Sequence, residues 1–273
     1  MDRAIGVFDS GIGGLSVLKA LRTELPTDNF IYVSDSGHAP YGERDETHVL
    51  ARSQAIASYL VNQNIKALVI ACNTATAASI KQLRGQYPLL PIIGVEPALK
   101  PAVALSQTGR IGIMATRSTL TSAKFKALLE LQSSPATFVV QPCDGLADAI
   151  ERSATHEDAT EIIAICDRYT RAMGTFGHQN GQIDTLVLGC THYSFVKNQL
   201  RALLGPEVQL VDTAEAVARQ TRRLLNVGAI HTDPSAALPT ENISLLTTGD
   251  PHILQAAASR WLGLTSTASS LLI

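Results

Sequence analysis

Short apolar runs alternate with segments of helical period along almost the whole chain. Nine such runs are rich in Val and Ile and begin at positions 4, 30, 67, 91, 110, 137, 185, 208 and 243. Their composition is typical of parallel strands that are buried on both faces. The intervening segments have the spacing of helices, as at Val49, Ile56 and Leu60. This alternation predicts an α/β fold with mainly parallel sheets flanked by helices, in which ligands bind beyond the carboxyl ends of the strands.

The two halves of the chain repeat two features in the same order. IGVFDSGIGGLSVLK, from Ile5, resembles IGIMATRSTLTSAKF, from Ile111, and the later LVIACNT resembles LVLGCTH. Each half therefore has a first strand that ends in small polar residues and a later strand that ends in cysteine. The repetition predicts two similar α/β domains with the active site in the cleft between them. We expect residues 1–97 and 209–273 to form the first domain and residues 98–208 the second.

Charge and hydropathy exclude several classes of partner. The 273 residues carry 22 basic and 24 acidic side chains, which leaves no basic footprint for nucleic acid or for an anionic membrane. No apolar run approaches the ~20 residues that span a bilayer, and the first residues lack the pattern of a secretion signal. We therefore expect a cytoplasmic protein with a small-molecule substrate. Its four cysteines are too few for a disulfide scaffold, and we expect them to be reduced.

The glycine-rich stretch DSGIGG, at residues 9–14, follows the first strand and opens a helix. It partly matches the dinucleotide-binding fingerprint, and Asp35, after the second strand, stands near the position of a ribose-binding acid. The match is incomplete because the fingerprint requires a glycine where this chain has Ser16. The free amides of a helix N-terminus also offer a site for a carboxylate. Asp9 would cap this helix or face the ligand that the strand ends hold.

Cys72 and Cys190 lie in turns that follow buried strands and lead into helices. Unpaired amides and the positive end of a helix dipole lower the pKa of a thiol in such a turn from ~8.5, which makes the thiol reactive. Cys143 and Cys166 lack that context, and we expect them to be packing residues. The neighbouring neutral donors that would hold a substrate carboxylate are Asn73, Thr74, Thr191 and His192.

Three kinds of site would use these thiols. Cys72, Cys190 and His192 would form a zinc site, although their spacing is unusual and no water-activating acid accompanies them. Alternatively, one cysteine would be a nucleophile with His192 as its base, which leaves the other thiol without a role. In the third hypothesis the two thiols are an acid and a base on opposite faces of one substrate. Only this hypothesis uses both thiols and both halves of the repeat.

A pair of thiols on opposite sides of a substrate is suited to inversion of a stereocentre. One rigid group cannot remove a proton from one face of a carbon and return a proton to the other face, so a thiolate and a thiol are both required. Removing the α-proton of an amino acid with a base of pKa ~8.5 also requires hydrogen bonds to the developing enolate-like carboxylate. The groups suited to donate them lie around Ser10, Asn73, Thr74 and Thr191.

Five motifs resemble those of the glutamate racemase family, whose cofactor-independent members supply D-glutamate for bacterial peptidoglycan. They are IGVFDSGIGG, PYGERD, LVIACNTATA, IIGVEPALKPA and LVLGCTHY. The resemblance spans residues 5 to about 215, and the two cysteine motifs in one chain are quite specific. It implies a fold of two α/β domains with the active site between them. It also implies that Cys72 and Cys190 transfer the protons, without a metal or pyridoxal phosphate.

The same resemblance implies the residues of the substrate pocket. Asp9 and His192 would sit beside the two thiols and assist them. Glu151, at the end of GLADAIE, matches an acid near that histidine, whereas the residues alone indicate only an exposed helix end. His38 precedes the matching segment and is expected to be a solvated loop histidine. The expected pocket residues are Asp9, Ser10, Tyr41, Gly42, Asn73, Thr74, Thr191 and His192.

Two alternatives to a glutamate-specific enzyme stay open at this point. Related racemases that act on aspartate share paired cysteines, and the residues alone do not separate a four-carbon from a five-carbon diacid. The other alternative is a nucleotide-binding α/β protein in which DSGIGG and Asp35 hold the nucleotide and the cysteines serve packing or redox sensing. We expect glutamate as the substrate, no cofactor, no nucleic-acid or membrane partner, and a second copy of the chain in a homodimer.

Overall fold

The structure is a computed structural model that describes residues 3–132, 134, 136–156, 158–225 and 242–273. The strands in these ranges are β1 (Ile5–Asp9), β2 (Phe30–Ser34), β3 (Ala67–Ile70), β4 (Ile92–Gly94), β5 (Arg110–Ala115), β6 (Thr137–Pro142), β7 (Thr185–Leu188), β8 (Gln209–Val211), β9 (Ile243–Thr247) and β10 (Ala268–Ser270). The helices are α1 (Leu15–Glu24), α2 (Glu46–Asn62), α3 (Asn73–Gln86), α4 (Leu99–Leu105), α5 (Arg117–Thr121), α6 (Ala123–Gln132), α7 (Leu146–Arg152), α8 (Thr160–Met173), α9 (Lys197–Leu204), α10 (Ala214–Leu224) and α11 (Pro251–Leu262). Short 3₁₀ helices span Ser36–His38, Tyr41–Glu43, Ser153–Thr155 and Thr191–Val196.

The strands form two parallel sheets. The first has the order β10-β9-β2-β1-β3-β4, and the second has the order β6-β5-β7-β8. In the first sheet Phe8 pairs with Ile70, and in the second Met114 pairs with Leu188. Because parallel strands end at the same edge, this register brings the turns after β1 and β3 together, and likewise the turns after β5 and β7.

Helices cover both faces of each sheet because successive side chains of a strand point to opposite faces. Val7 and Val69 pack with α1, α10 and α11 on one face of the first sheet, whereas Phe8 and Ile70 pack with α2 and α3 on the other. The second sheet has the same arrangement, with α7, α8 and α9 on one face and α4 and α6 on the other. All residues of β1, β3 and β7 are buried, which explains why these strands appear in the sequence as continuous apolar runs.

The predicted fold class is confirmed, and each of the nine apolar runs contains a strand. One assignment needs correction: β8, which the prediction placed in the first domain, pairs with β7 in the second sheet. The chain returns to the first sheet with α10, because Val217 and Ala218 pack in the same cluster as α1. The division into two domains otherwise stays a prediction. None of the helices in the described ranges is both long and apolar enough to cross a membrane.

Candidate active site

A cavity of about 240 Å³ lies where turns from both sheets meet. Ser10 and Cys72, which follow β1 and β3, line it together with Cys143 and Cys190, which follow β6 and β7. The two predicted thiols therefore line one cavity, each from a different sheet. The other predicted residues on its wall are Tyr41, Gly42, Asn73, Thr74, Glu151, Thr191 and His192.

Cys72 is the N-cap residue of α3. Its Sγ accepts a hydrogen bond from the backbone N–H of Ala75 at 3.4 Å, and its thiol donates to Oγ of Ser10 at 3.8 Å. Burial and the nearby charge of Asp9 raise the pKa of this thiol well above its usual range, in spite of the hydrogen bond from Ala75. The expectation that the helix N-terminus lowers the pKa is therefore wrong for Cys72, because desolvation outweighs one amide. Cys72 is a protonated thiol at neutral pH.

Cys190 has a histidine neighbour that Cys72 lacks. Its Sγ lies 3.7 Å from Nδ1 of His192, and Nε2 of His192 lies 2.5 Å from Oε1 of Glu151. Burial by itself lowers the pKa of His192, but the hydrogen bonds to Cys190 and Glu151 outweigh it and raise the pKa well above its usual range. His192 is therefore an imidazolium at neutral pH, and its charge lies beside the sulfur of Cys190.

The zinc hypothesis required Cys72, Cys190 and His192 to bind one ion. In the structure the two ring nitrogens of His192 contact Cys190 and Glu151 instead. Within the described ranges, no group of three or more His, Cys, Asp or Glu side chains is arranged to hold a metal ion.

Asp9, the last residue of β1, is completely buried. Its Oδ2 accepts the backbone N–H of Gly14 at 2.6 Å, whereas Oδ1 has no hydrogen-bond partner. Burial raises the pKa of this carboxyl to about 6, even though the charge of His192 and the Gly14 amide favour the carboxylate. Asp9 does not reach the wall of the cavity. It lies close enough to Cys72 for its charge to raise the pKa of that thiol.

The glycines of DSGIGG make room for side chains from the second half of the chain. A Cβ atom at Gly11 would lie 1.8 Å from Oε1 of Glu151, and one at Gly13 would lie 2.3 Å from Nδ1 of His192. The backbone N–H of Ile12, between them, donates to the same Glu151 oxygen at 2.7 Å. This close approach explains the glycine pattern without a nucleotide. It also shows that Glu151 is a residue of the site, although its own sequence context indicated only an exposed helix end.

Asp35, the candidate ribose-binding acid, is bonded on all sides by the protein. Its carboxylate accepts hydrogen bonds from Arg52 at 2.9 and 3.0 Å, from the Tyr41 hydroxyl at 2.5 Å and from the Thr248 hydroxyl at 2.8 Å. Burial raises the pKa of Asp35, but these bonds outweigh burial and hold the pKa below its usual range. His38 lies 3.1 Å from the same carboxylate and is therefore more than a solvated loop histidine. Asp35 thereby anchors the segment that carries Tyr41 into the cavity wall.

Thr116 is a cavity residue that the sequence analysis missed. Its Oγ1 lies 3.0 Å from Oγ1 of Thr74 and 2.9 Å from that of Thr119, so that the hydroxyls join the two halves of the chain. The internal repeat contained the signal, because its alignment sets Thr116 opposite Ser10. The other lining residues that were not predicted from the sequence include Ser36, Glu43, Cys143, Asp144, Asp148, Arg152, Gly189 and Ile253.

The fold and the paired thiols are those expected of a cofactor-independent amino-acid racemase. The sequence agrees with this class. The sequence pattern of the Asp/Glu/Hydantoin racemases matches residues 5–221, and the chain belongs to this family. The resemblance seen in the motifs is thereby confirmed.

Its relatives in the family include named glutamate racemases. The glutamate racemase of Ectopseudomonas mendocina is 44% identical over 259 residues, which are 95% of this chain and 94% of that protein. A crystal structure of a glutamate racemase isoform from Bacillus anthracis is 29% identical, with a TM-score of 0.83 over 99% of this chain and 98% of that one. The Escherichia coli enzyme, solved with L-glutamate and the activator UDP-MurNAc-Ala, is also 29% identical, with a TM-score of 0.84 and the same coverage.

Proposed function

We propose that this chain interconverts L- and D-glutamate by proton transfer between two cysteines and the α-carbon. The observation that carries the proposal is that Cys72 and Cys190 line one cavity from different sheets. Inversion at a carbon requires a base on one face and an acid on the other, and two thiols on separate elements are suited to that arrangement. The choice of glutamate is supported by relatives of that name at 44% identity over most of the chain.

The reaction requires one thiol to act as the base and the other as the acid. The His192 imidazolium lies beside Cys190, which supports Cys190 as the base in one direction, and Cys72, whose pKa is raised, supplies the proton. In one direction Cys190 removes the α-proton from one face of the substrate, and Cys72 gives its own proton to the opposite face. The site then holds a thiol at Cys190 and a thiolate at Cys72, from which the other enantiomer reacts in reverse.

Asp9 and His192 assist the thiol on their own side of the cavity. His192 offsets the negative charge at Cys190 when the substrate is bound. Asp9, with a pKa of about 6, changes protonation near neutrality, so it releases the repulsion on a Cys72 thiolate when it takes up a proton. Glu151 orients the ring of His192 through the 2.5 Å contact to Nε2.

Neutral polar groups bind the substrate around the thiols. Oδ1 of Asn73 is buried without a hydrogen-bond partner, so that a ligand would satisfy this otherwise costly group. Ser10 and Thr74 line the cavity beside it, together with Tyr41, Gly42 and Thr191. Hydroxyls and amides stabilise the charge that develops on the α-carboxylate as the proton leaves.

Hydrogen exchange with solvent tests the proposal directly. We expect incubation with L-glutamate in deuterium oxide to give D-glutamate that carries deuterium on the α-carbon, while L-glutamate recovered early keeps its original hydrogen. Such a result requires two separate groups, because the proton removed by one is not the proton supplied by the other. Inversion without isotope incorporation, or no inversion at all, would refute the scheme. Parallel incubation with L-aspartate separates the four-carbon from the five-carbon diacid.

The structure supports a nucleotide-binding function less than the sequence alone does. Asp35 is held by Arg52, Tyr41 and Thr248, and the space above Gly11 and Gly13 is filled by Glu151 and His192. Thermal unfolding in the presence of each ligand distinguishes the two functions. Stabilisation by NAD or ATP together with none by glutamate would favour the nucleotide site.

The remaining parts of the proposal concern the setting of the enzyme. We place the reaction in the cytoplasm, where D-glutamate would supply peptidoglycan synthesis, and the enzyme in a homodimer without nucleic-acid or membrane partners. The active site lies in the cleft between two domains built around the two sheets. Size-exclusion chromatography with light scattering tests the dimer.

A further inference from the structure

Ser16 is the residue that breaks the dinucleotide fingerprint, and it reaches the second half of the chain. It lies in the first turn of α1, where its Oγ is 2.8 Å from the carbonyl oxygen of Gly13 and 3.2 Å from that of Thr191. A hydroxyl has one proton to donate. The Gly13 carbonyl also accepts the backbone N–H of Ser16 at 3.1 Å. The hydroxyl is therefore free to donate to Thr191 without leaving the Gly13 carbonyl unpaired.

The Thr191 carbonyl has a particular position in the site. It belongs to the same peptide group as the backbone N–H of His192. Because this group is planar, a hydrogen bond to the oxygen also fixes the orientation of the His192 N–H. On the other side, the His192 ring packs directly against Gly13. Ser16 and Gly13 thus hold the turn that carries Cys190 and His192, and they do so from the first sheet.

The contact that this turn carries is sensitive to small displacements. Sγ of Cys190 and Nδ1 of His192 are 3.7 Å apart, which is near the limit for a hydrogen bond that involves sulfur. A displacement of the turn by a fraction of an ångström would break this contact, and misplacement on that scale has large effects on rate.

We propose that Ser16 is a positioning residue that aligns His192 with Cys190 by holding the Thr191 peptide from across the two sheets. Ser16 contacts no reacting atom, and its effect passes through the Thr191–His192 peptide. This inference rests on the proposed racemase function.

The test compares two substitutions at Ser16 with a control on the same helix. Ser16→Ala removes the hydroxyl, and Ser16→Thr keeps it. Thr23→Ala removes a hydroxyl of α1 that, among the described residues, donates to the Lys19 carbonyl of the same helix. Steady-state glutamate racemisation gives kcat and KM for each variant, and thermal unfolding measures stability.

We expect Ser16→Ala to lower kcat about tenfold while KM stays within about twofold of the wild type. Ser16→Thr should have a kcat within about threefold of the wild type. Thr23→Ala should have the same kcat as the wild type. A kcat for Ser16→Ala equal to that of Thr23→Ala would overturn the inference. Equally low values for the alanine and threonine variants, or a Ser16→Ala protein that fails to fold, would show a packing role and overturn it as well. If the wild type itself does not racemise glutamate, the proposed function fails instead.

Discussion

Oε1 of Glu151 lies 2.5 Å from Nε2 of His192. The same oxygen accepts the backbone N–H of Ile12 at 2.7 Å, from the turn that follows β1 in the other sheet. One carboxylate oxygen therefore orients the histidine beside Cys190 and ties it to the glycine-rich turn. The contact between Glu151 and His192 also affects the pH dependence of the enzyme, because it helps to raise the pKa of His192.

Glu151→Gln should move the high-pH limit of activity to lower pH. The hydrogen bond to Glu151 helps to hold the pKa of His192 well above its usual range, so the imidazolium persists as the pH rises until it passes that raised pKa. Without the carboxylate the pKa falls, and activity that depends on the imidazolium is lost at lower pH. The measurement is kcat against pH. Glu161→Gln removes an exposed acid from the neighbouring α8 and should leave the profile unchanged.

Replacing either active-site thiol should abolish turnover. Cys72→Ala and Cys190→Ala each remove one member of the acid–base pair, and such groups contribute about 10²–10⁴-fold in rate. Polarimetry with each enantiomer measures the loss. Cys166→Ala is the matched control, because Cys166 is fully buried and does not line the cavity. Near-normal racemisation by Cys190→Ala would exclude the two-base scheme. We also predict that Cys143→Ala stays active, although Cys143 lines the cavity.

Asp9→Asn should gain stability relative to the wild type as the pH rises. Burial raises the pKa of Asp9 from 3.8 to about 6, so the folded state prefers the protonated acid. Between these two pKa values Asp9 ionises in the unfolded state but not in the folded state. The free energy of unfolding of the wild type therefore falls by up to about 3 kcal/mol, and that of the asparagine variant does not. Urea unfolding at pH 4, 5.5 and 7 measures the difference. A difference that does not change with pH would contradict the raised pKa.

Asp184→Asn provides a control of opposite sign. Burial raises the pKa of Asp184, but hydrogen bonds from Ser106, Thr108 and Gln107 outweigh it and lower the pKa. The carboxylate therefore contributes stability above its ordinary pKa, and this contribution is lost as the pH falls. The asparagine variant should lose stability relative to the wild type as the pH rises from about 2 to about 5, a change opposite in sign to that of Asp9→Asn and at lower pH.

Gly13→Ala should inactivate the enzyme through steric displacement of His192. The new Cβ would lie 2.3 Å from Nδ1 of the ring, which no real structure tolerates, so the ring or the turn must shift. We expect kcat to fall by more than about 100-fold. Gly85→Ala, in α3, meets nothing within 4 Å and should stabilise the helix by up to ~1 kcal/mol without loss of activity. Activity of Gly13→Ala equal to that of Gly85→Ala would contradict the observed packing.

Most of the fold was predictable because buried parallel strands leave a direct trace in the sequence. β1, β3 and β7 are buried on both faces and appear as unbroken apolar runs. β10 left no such trace, since its residues Ala268–Ser270 are small or polar and partly exposed at the sheet edge. The partner of β8 was also not predictable, because an apolar run does not specify the strand with which it pairs.

The site was predictable where function depends on residue type and unpredictable where it depends on contact. The two cysteines stood out by their repeated setting, before any resemblance was considered. The glycines at 11 and 13 suggested a nucleotide, because the side chains that fill the space above them are Glu151 and His192, far along the chain. In the same way, Asp35 appeared free in the sequence, whereas Arg52 and Thr248 occupy it in the structure.

The two thiols follow similar strands, yet one heads a helix of 14 residues and the other a 3₁₀ helix of 6 residues beside a cation. Mirror-image substrates have equal free energies in water, so the ratio kcat/KM must be the same for both directions of the proposed reaction. The difference between the two half-sites can therefore affect kcat and KM individually but not their ratio. Maximal velocity and half-saturating concentration should both differ between the enantiomers, and by the same factor.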